Sequence, residues 1–314
     1  MAIRVSVIIP TYNRRDRLRV VLDALCKQSF PKEVFEVIVV NDGSTQDILP
    51  VVDDFRDDLN IRYIRQKRSG PGAARNQGVK NARAEIVCFI DDDCIPEKYW
   101  VEKFYMIFKD NAFQIIGGLT AVRISNLKAV LGQFMAEGAI RAKIGKEKRI
   151  VFLPTSNVGL RKDVFQKFLF NSNIPYPGGE DLEFFWRLFK YGYNLEYNPD
   201  IKVLHLRNES FKEFLLQPYI YGRGNYWVKK NFPDHPALQE LKNWRSIVYS
   251  FIQIPLYSLH IAFRIYKEYN KKFGDFIILF FYAIIYRLAY FWGYAWEGIN
   301  NHRINKKVSL QDEK

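Results

Sequence analysis

Four short apolar runs, at residues 5–9, 36–40, 61–64 and 86–90, constrain this chain more than any other feature. Each is rich in Val and Ile, which fit a pleated, buried surface. Between the first two, residues 14–28 change to helical spacing, with Leu18, Val21, Leu22 and Leu25 on one face. Residues 47–58 and the small-residue stretch 72–82 supply two more predicted helices. The order is β-α-β-α-β-α-β, which demands parallel strands joined by crossover helices. Strands buried on both faces read as solid apolar runs rather than as alternation. In such sheets ligands bind beyond the carboxyl ends of the strands. The polar punctuation falls there: Thr11-Tyr12-Asn13 after the first run, Asn41-Asp42-Gly43-Ser44 after the second, Asp91-Asp92-Asp93 after the fourth.

Farther along, residues 114–120, 155–160 and 201–206 read as strands and 180–191 as a helix opened by Pro177-Gly178-Gly179. The Lys- and Arg-rich stretch 141–149 reads as a solvated loop. The last third changes character. No formally charged side chain occurs in 246–263, and only Arg287 interrupts 276–296. A bilayer span needs about 20 apolar residues, so both stretches are borderline. Their Tyr and Trp content suits a membrane interface. Membrane association is expected, with spanning left open; the competing reading is a soluble helical cap with aromatic cores.

Charge supports a basic partner surface without naming the partner. The net charge is +13, and residues 207–314 carry 16 basic against 9 acidic side chains, the denser share of the excess. Nucleic acid, anionic lipid and phosphorylated substrates all attract such a chain. No nucleic-acid module or regular basic–aromatic pattern is present, so nucleic acid is not expected. Three cysteines (Cys26, Cys88, Cys94) give no disulfide framework and no Cys/His zinc spacing. The N-terminus reads as a strand, not a signal peptide, which points to the cytoplasm.

Five groups of residues could carry chemistry. Asp91 and Asp93 flank Asp92 and, in an extended segment, point to one side, where they would suit Mg²⁺ or Mn²⁺ and a diphosphate. An acidic turn is the plainer reading. Asp42 could accept from a base or ribose, or form an Asx turn. Glu180 and Asp181 sit in a first helical turn, where a carboxylate is stabilised, as base or as cap. His205 ends a strand, as a metal ligand or a core imidazole. Arg223, in Gly222-Arg223-Gly224, could bind a diphosphate, although the spacing is not a dinucleotide fingerprint.

Taken in order, these segments resemble the family 2 glycosyltransferases, an inverting group with the GT-A fold, a nucleotide-diphospho-sugar transferase fold built on a Rossmann-like mixed sheet. The resemblance is carried by Val5-Ser6-Val7-Ile8-Ile9-Pro10-Thr11-Tyr12-Asn13-Arg14, by Val39-Val40-Asn41-Asp42-Gly43-Ser44, and by Ser69-Gly70-Pro71-Gly72-Ala73-Ala74-Arg75-Asn76. Ile90-Asp91-Asp92-Asp93, Ser156-Asn157-Val158-Gly159 and Gly179-Glu180-Asp181-Leu182-Glu183 continue it. It covers about residues 4–230. The expected division is a catalytic domain at 1–232, with a nucleotide-binding half at 1–110 and an acceptor half at 111–232, and an aromatic-rich helical, membrane-associated region at 233–314.

The resemblance implies roles. Pro10, Thr11, Tyr12, Asn13, Asp42, Gly72, Arg75, Asp91 and Asp92 would bind the nucleotide-sugar donor. Asp93, Asp91 and His205 would hold Mn²⁺ or Mg²⁺. Asp181 would be the catalytic base, with Glu180 on the acceptor and Arg223 near the diphosphate. The acceptor would be a glycan or a lipid-linked molecule, and the enzyme would work at the cytoplasmic face of the membrane in cell-surface polysaccharide or glycolipid synthesis. The donor nucleotide would be UDP. The QxxRW signature of processive synthases is absent, which favours addition of single sugars. The alternative is a catalytically silent, nucleotide-sugar-binding scaffold subunit at the membrane.

Overall fold

The computed structural model describes residues 2–110, 112–137, 149–174, 177–207, 210–241 and 243–312. The chain divides into two compact units. The first comprises 1–123, 136–175 and 180–207; the second comprises 124–135, 176–179 and 208–314.

The first unit is built on one eight-stranded sheet. Its strands are β1 (Val5–Thr11), β2 (Phe35–Asp42), β3 (Ile61–Gln66), β4 (Ile86–Ile90), β5 (Cys94–Pro96), β6 (Ile115–Val122), β7 (Asn157–Arg161) and β8 (Glu196–His205). Their spatial order is β3-β2-β1-β4-β7-β6-β8-β5. The first four pair in parallel, as the alternation predicts, with Val5 opposite both Phe35 and Ile86. β7 pairs antiparallel to both β4 and β6, so the sheet is mixed.

Burial explains the pattern. Every residue of β2 and of β4 is buried. Helix α1 (Arg15–Cys26) covers one face with Leu18, Val21, Leu22 and Leu25, the predicted stripe, all fully enclosed. Helix α3 (Pro71–Asn81) lies so close to β1 that a Cβ on Gly78 would sit 2.4 Å from the Ile8 side chain.

The predicted helix at 47–58 is realised only as α2 (Leu49–Asp53). Asp53, Asp54, Asp57 and Asp58 crowd like charge onto the next turn, which disfavours further helix. The predicted strand at 201–206 is the second half of β8; Asn198-Pro199-Asp200 hides the first half, at a register shift opposite Gly118 and Leu119. Two helices that the apolar runs did not mark are α4 (Trp100–Asp110) and α5 (Leu127–Ala136). Short α6 (Val164–Lys167) follows β7, and α7 (Glu180–Lys190) matches its expected start. Of the stretch expected to be a solvated loop, 141–148 lies outside the described residues. Arg149 donates to Asn194 Oδ1 at 2.7 Å and lies over the Phe189 ring.

The second unit is helical. Helix α8 (Phe211–Asn231) opens on a capping box formed by Ser210 and Glu213. It falls inside the expected acceptor half yet belongs to this unit, because its partner is the C-terminal helix. Pro218, Gly222 and Gly224 within α8 blur its periodicity in the sequence. The apolar stretch 246–263 is two helices, α9 (Trp244–Ile252) and α10 (Ile254–Glu268), bent by 56° at the break. Gln253 lies at the break and Pro255 begins the next turn, where proline removes a helical donor. Helix α11 (Phe273–Asp312) contains the second apolar stretch. By length and composition, residues 273–301 of α11 are sufficient to cross a bilayer, and the bent pair would be a second such segment.

Candidate active site

The carboxyl ends of β1, β2 and β4 and the far end of β8 present the polar residues singled out in the sequence. Thr11 is the last residue of β1, and Asn13 follows at φ 54°, a left-handed conformation that asparagine tolerates. The Asn13 side-chain oxygen accepts from the Thr45 amide at 2.8 Å, and its own amide donates to Ser44 Oγ. The loops after β1 and β2 are thereby stitched together. Asp42 does not form the Asx turn expected of it; Asn41 closes this turn, accepting from the Ser44 amide three residues on. Asp42 instead reaches the loop before α3, accepting from Gln66 Nε2, the Ser69 amide and the Gly70 amide. Tyr12 carries the Arg68 guanidinium 3.5 Å above its ring. Gly72 is close to Glu180 and Phe170: a Cβ there would meet their side chains at 3.2–3.6 Å.

The acidic run leaves β4 as a turn, closed by the Cys94 amide donating to the Asp91 carbonyl at 3.1 Å. Because the backbone is not extended, the three carboxylates diverge. Asp91 accepts from Arg75 Nη2 at 2.9 Å. Asp92 is buried and accepts from Thr11 Oγ1 (2.7 Å) and Arg14 Nη1 (3.0 Å). Burial, only partly offset by Arg14, pushes its carboxyl up to about 7.

Asp93 Oδ2 accepts from both Arg14 (2.8 Å) and Arg17 (3.0 Å), while Oδ1 faces His205 Nε2 at 3.1 Å. Burial opposes its charge, yet His205, Arg14 and Arg17 together hold its carboxyl well below the usual range. His205 stands at the end of β8, directly opposite Cys94 in the β5–β8 ladder. Its Nδ1 accepts from Arg207 Nε at 3.2 Å, which fixes the tautomer with the proton on Nε2. The donor atoms of Asp93, Cys94 and His205 all lie within 4.8 Å of one another. Burial pushes the Cys94 thiol well up, so the carboxylate and imidazole are the stronger donors of the three.

The third cluster joins α3 to α7. Arg75 is buried and bridges Glu180 Oε1 (2.9 Å) and Asp91, leaving its Nε without an acceptor. Asp181 is half-buried, and its Oδ1 accepts from the Leu182 amide at 2.8 Å. Burial and the neighbouring Glu180 carboxylate outweigh Arg75 and push the Asp181 carboxyl up to about 8.

Arg223 belongs to the second unit, where its Nε donates to Glu297 Oε2 at 2.8 Å. Arg17 and the Arg14 guanidinium belong to this site although neither stands out as a site residue in the sequence. A signal was present: Arg14, Arg15 and Arg17 crowd a helix N-terminus, where the dipole disfavours cations. Such a cluster demands carboxylates from elsewhere in the fold.

Residues 6–169, more than half of the chain, match the family model described as Glycosyl transferase family 2. The chain is a family 2 glycosyltransferase. This glycosyltransferase is 30% identical over 231 residues to glycosyltransferase AglE of Haloferax volcanii, covering 71% of this chain and 73% of AglE. It is 29% identical to chondroitin synthase of Escherichia coli over 222 residues, 60% of this chain and 32% of that much longer protein. Among solved structures, residues 1–349 of Staphylococcus aureus TarS superpose with a TM-score of 0.57 at 20% identity, over 93% of this chain and 89% of that one. The mannosyltransferase PcManGT of Pyrobaculum calidifontis, in complex with GDP-Man and Mn²⁺, gives 0.62 at 17% identity, over 93% and 88%. The mixed sheet and its flanking helices are those of the GT-A fold.

Proposed function

We propose that this glycosyltransferase moves one sugar, with inversion, from a UDP-linked donor to a hydroxyl of a glycan or lipid-linked acceptor, with Asp181 as general base. The observation that carries the reading is the placement of Asp181 on a half-buried first helical turn beside the Glu180–Arg75–Asp91 chain, where burial and Glu180 raise its titration. A carboxylate whose pKa approaches the working pH takes a hydroxyl proton far better than an ordinary one. The Leu182 amide holds the base in place, and Arg75 beside it spans Glu180 and Asp91.

The donor set fits a divalent cation. Asp93 is held ionised, and its Oδ1 faces His205 Nε2 at 3.1 Å; that nitrogen would ligate an ion only in the other tautomer, with the ring proton on Nδ1 in place of the Arg207 contact. Asp93 and His205 would hold the ion, with Asp91 nearby in the same acidic turn; carboxylate oxygen and imidazole nitrogen suit Mn²⁺, and carboxylate also suits Mg²⁺. When bound, such an ion supplies positive charge to the diphosphate leaving group. The solved structures named above include one bound to GDP-Man and Mn²⁺, and TarS has been crystallised with UDP and with UDP-GlcNAc; they support a nucleotide-sugar donor here.

The test is release of nucleoside diphosphate from UDP-, GDP- and dTDP-sugars with Mn²⁺ or Mg²⁺. Metal-dependent release from UDP-sugars is expected. It should be abolished in Asp93→Ala and slowed about 100-fold or more in Asp181→Asn, with donor binding retained in the latter. Unchanged release in Asp181→Asn would overturn the base assignment, and preference for GDP- or dTDP-sugars would overturn the UDP reading.

A further inference from the structure

The second unit is built inside out. Many side chains of α9, α10 and α11 that face solvent are large and apolar, while the two charges within residues 276–301 of α11, Arg287 and Glu297, face inward. Tyr249 is 65% exposed, Ile252 66%, Leu256 63% and Trp292 61%. Along α11 the exposed residues Phe281, Leu288, Trp292, Trp296 and Ile299 recur at intervals of seven, four, four and three, a single helical stripe. Only 39% of the most apolar window of this helix is buried, whereas the core helix of a soluble domain is mostly buried.

Arg287, the charge that interrupts the apolar stretch in the sequence, is buried. It donates to both Glu240 oxygens and lies against the rings of Tyr257 and Phe291. Glu297 is buried and accepts from Arg223 Nε at 2.8 Å and Trp227 Nε1 at 3.1 Å. Helices α8 and α11 cross at small residues. A Cβ on Gly222 would sit 2.0 Å from the Tyr290 carbonyl, and one on Gly293 1.9 Å from that of Tyr219. Close glycine crossings and internally paired charges are the packing of helices whose outer face is not in water.

We infer that the outer face of α9, α10 and α11 lies in the plane of an anionic lipid bilayer, immersed in one leaflet without crossing it. Three observations select this occupant and this mode. Exposed Tyr and Trp on an apolar stripe match the headgroup–acyl boundary. Arg245 of α9, Arg264 and Lys267 of α10 and Lys272, just before α11, are exposed, and residues 207–314 carry 16 basic against 9 acidic side chains. That excess complements anionic headgroups. In-plane placement follows from the neighbour of α11. Helix α8 packs along it through Phe214, Tyr219, Gly222 and Arg223, yet exposes Lys212, Glu213 and Lys230. A spanning α11 would draw Lys212 and Glu213, near the level of Tyr282, into hydrocarbon. Helix α9 rises only about 14 Å and α10 about 23 Å, against a core of about 30 Å.

The test uses the full chain and vesicles of phosphatidylcholine with or without phosphatidylglycerol. Co-flotation with the anionic vesicles is expected, and it should persist after a wash at high salt. The pair Ile252→Glu and Trp292→Glu, both on the exposed face, should lower the bound fraction at least about tenfold, with the far-UV spectrum unchanged. Protease added outside sealed vesicles should leave no protected fragment. Loss of binding in high salt would overturn immersion, and a protected fragment from α11 would overturn in-plane placement. A stable dimer that ignores both vesicle types would assign the face to a second copy of the chain instead. The outcome does not depend on the transfer reaction, because flotation reads binding alone.

Discussion

Glu180→Gln removes one negative charge beside Asp181 and keeps an oxygen for Arg75. A charge within about 4–6 Å shifts a carboxyl by about 1–3 pH units. Partial exposure of Asp181 screens some of this, so a fall of about 1–2 units from about 8 is expected. The sign is fixed by the role. A general base must be deprotonated, so activity drops on the acid side of its pKa. At pH 7 a base with a pKa of about 8 is about one-tenth ionised; near 6.5 it is about three-quarters ionised. The assay is kcat/KM for donor turnover from pH 5.5 to about 9.5 at one fixed metal concentration. Any ion at Asp93 then affects both proteins alike. The acid limb should move to lower pH in the variant, whatever happens to the plateau, which also senses any lost contact between Glu180 and the acceptor. An unmoved limb, or one displaced upward, would refute the claim that Glu180 sets the titration of Asp181.

Two further predictions concern stability. Asp181 has a folded pKa raised above its unfolded value, so the folded state binds the extra proton. Stability is therefore complete below about pH 4 and is lost as pH rises towards about 8. Asp181→Asn should accordingly raise Tm relative to the parent at pH 8.5 and leave it nearly unchanged at pH 4; equal Tm differences at the two pH values would refute this. Gly78→Ala forces a methyl to 2.4 Å from Ile8 and should cost about 1–3 kcal/mol in denaturant unfolding. Gly274→Ala, where a Cβ meets nothing within 4 Å, serves as the neutral control.

The parallel half of the sheet was legible because strands buried on both faces leave solid apolar runs, and each of the four predicted runs is a strand within two residues of its expected bounds. The antiparallel half was harder. Pro199 breaks the apolar pattern of β8, and β5 is only three residues long. Helix α8 was invisible because Pro218, Gly222 and Gly224 are usual helix breakers, although Gly222 sits where α11 must approach closely. In the site, Asp93 and His205 were readable as residue types at strand ends, and the structure places them in contact. The divergence of Asp91 from Asp93 was not readable, since it depends on a turn rather than an extended segment. Arg17 was missed because a basic residue on an amphipathic helix reads as solvated surface unless the helix dipole is also weighed.

The rung that sets Cys94 opposite His205 has a consequence for how this protein matures. Asp93 and His205 lie far apart in the chain, and the ladder joining them closes the last edge of the sheet. Such non-local pairing is slow and late, because loop-closure entropy must be overcome first. A nascent chain that has completed its parallel strands already holds the acidic turn, but it lacks the imidazole partner. Metal binding at the proposed Asp93–His205 pair would therefore report finished folding, appearing only when the last strand docks.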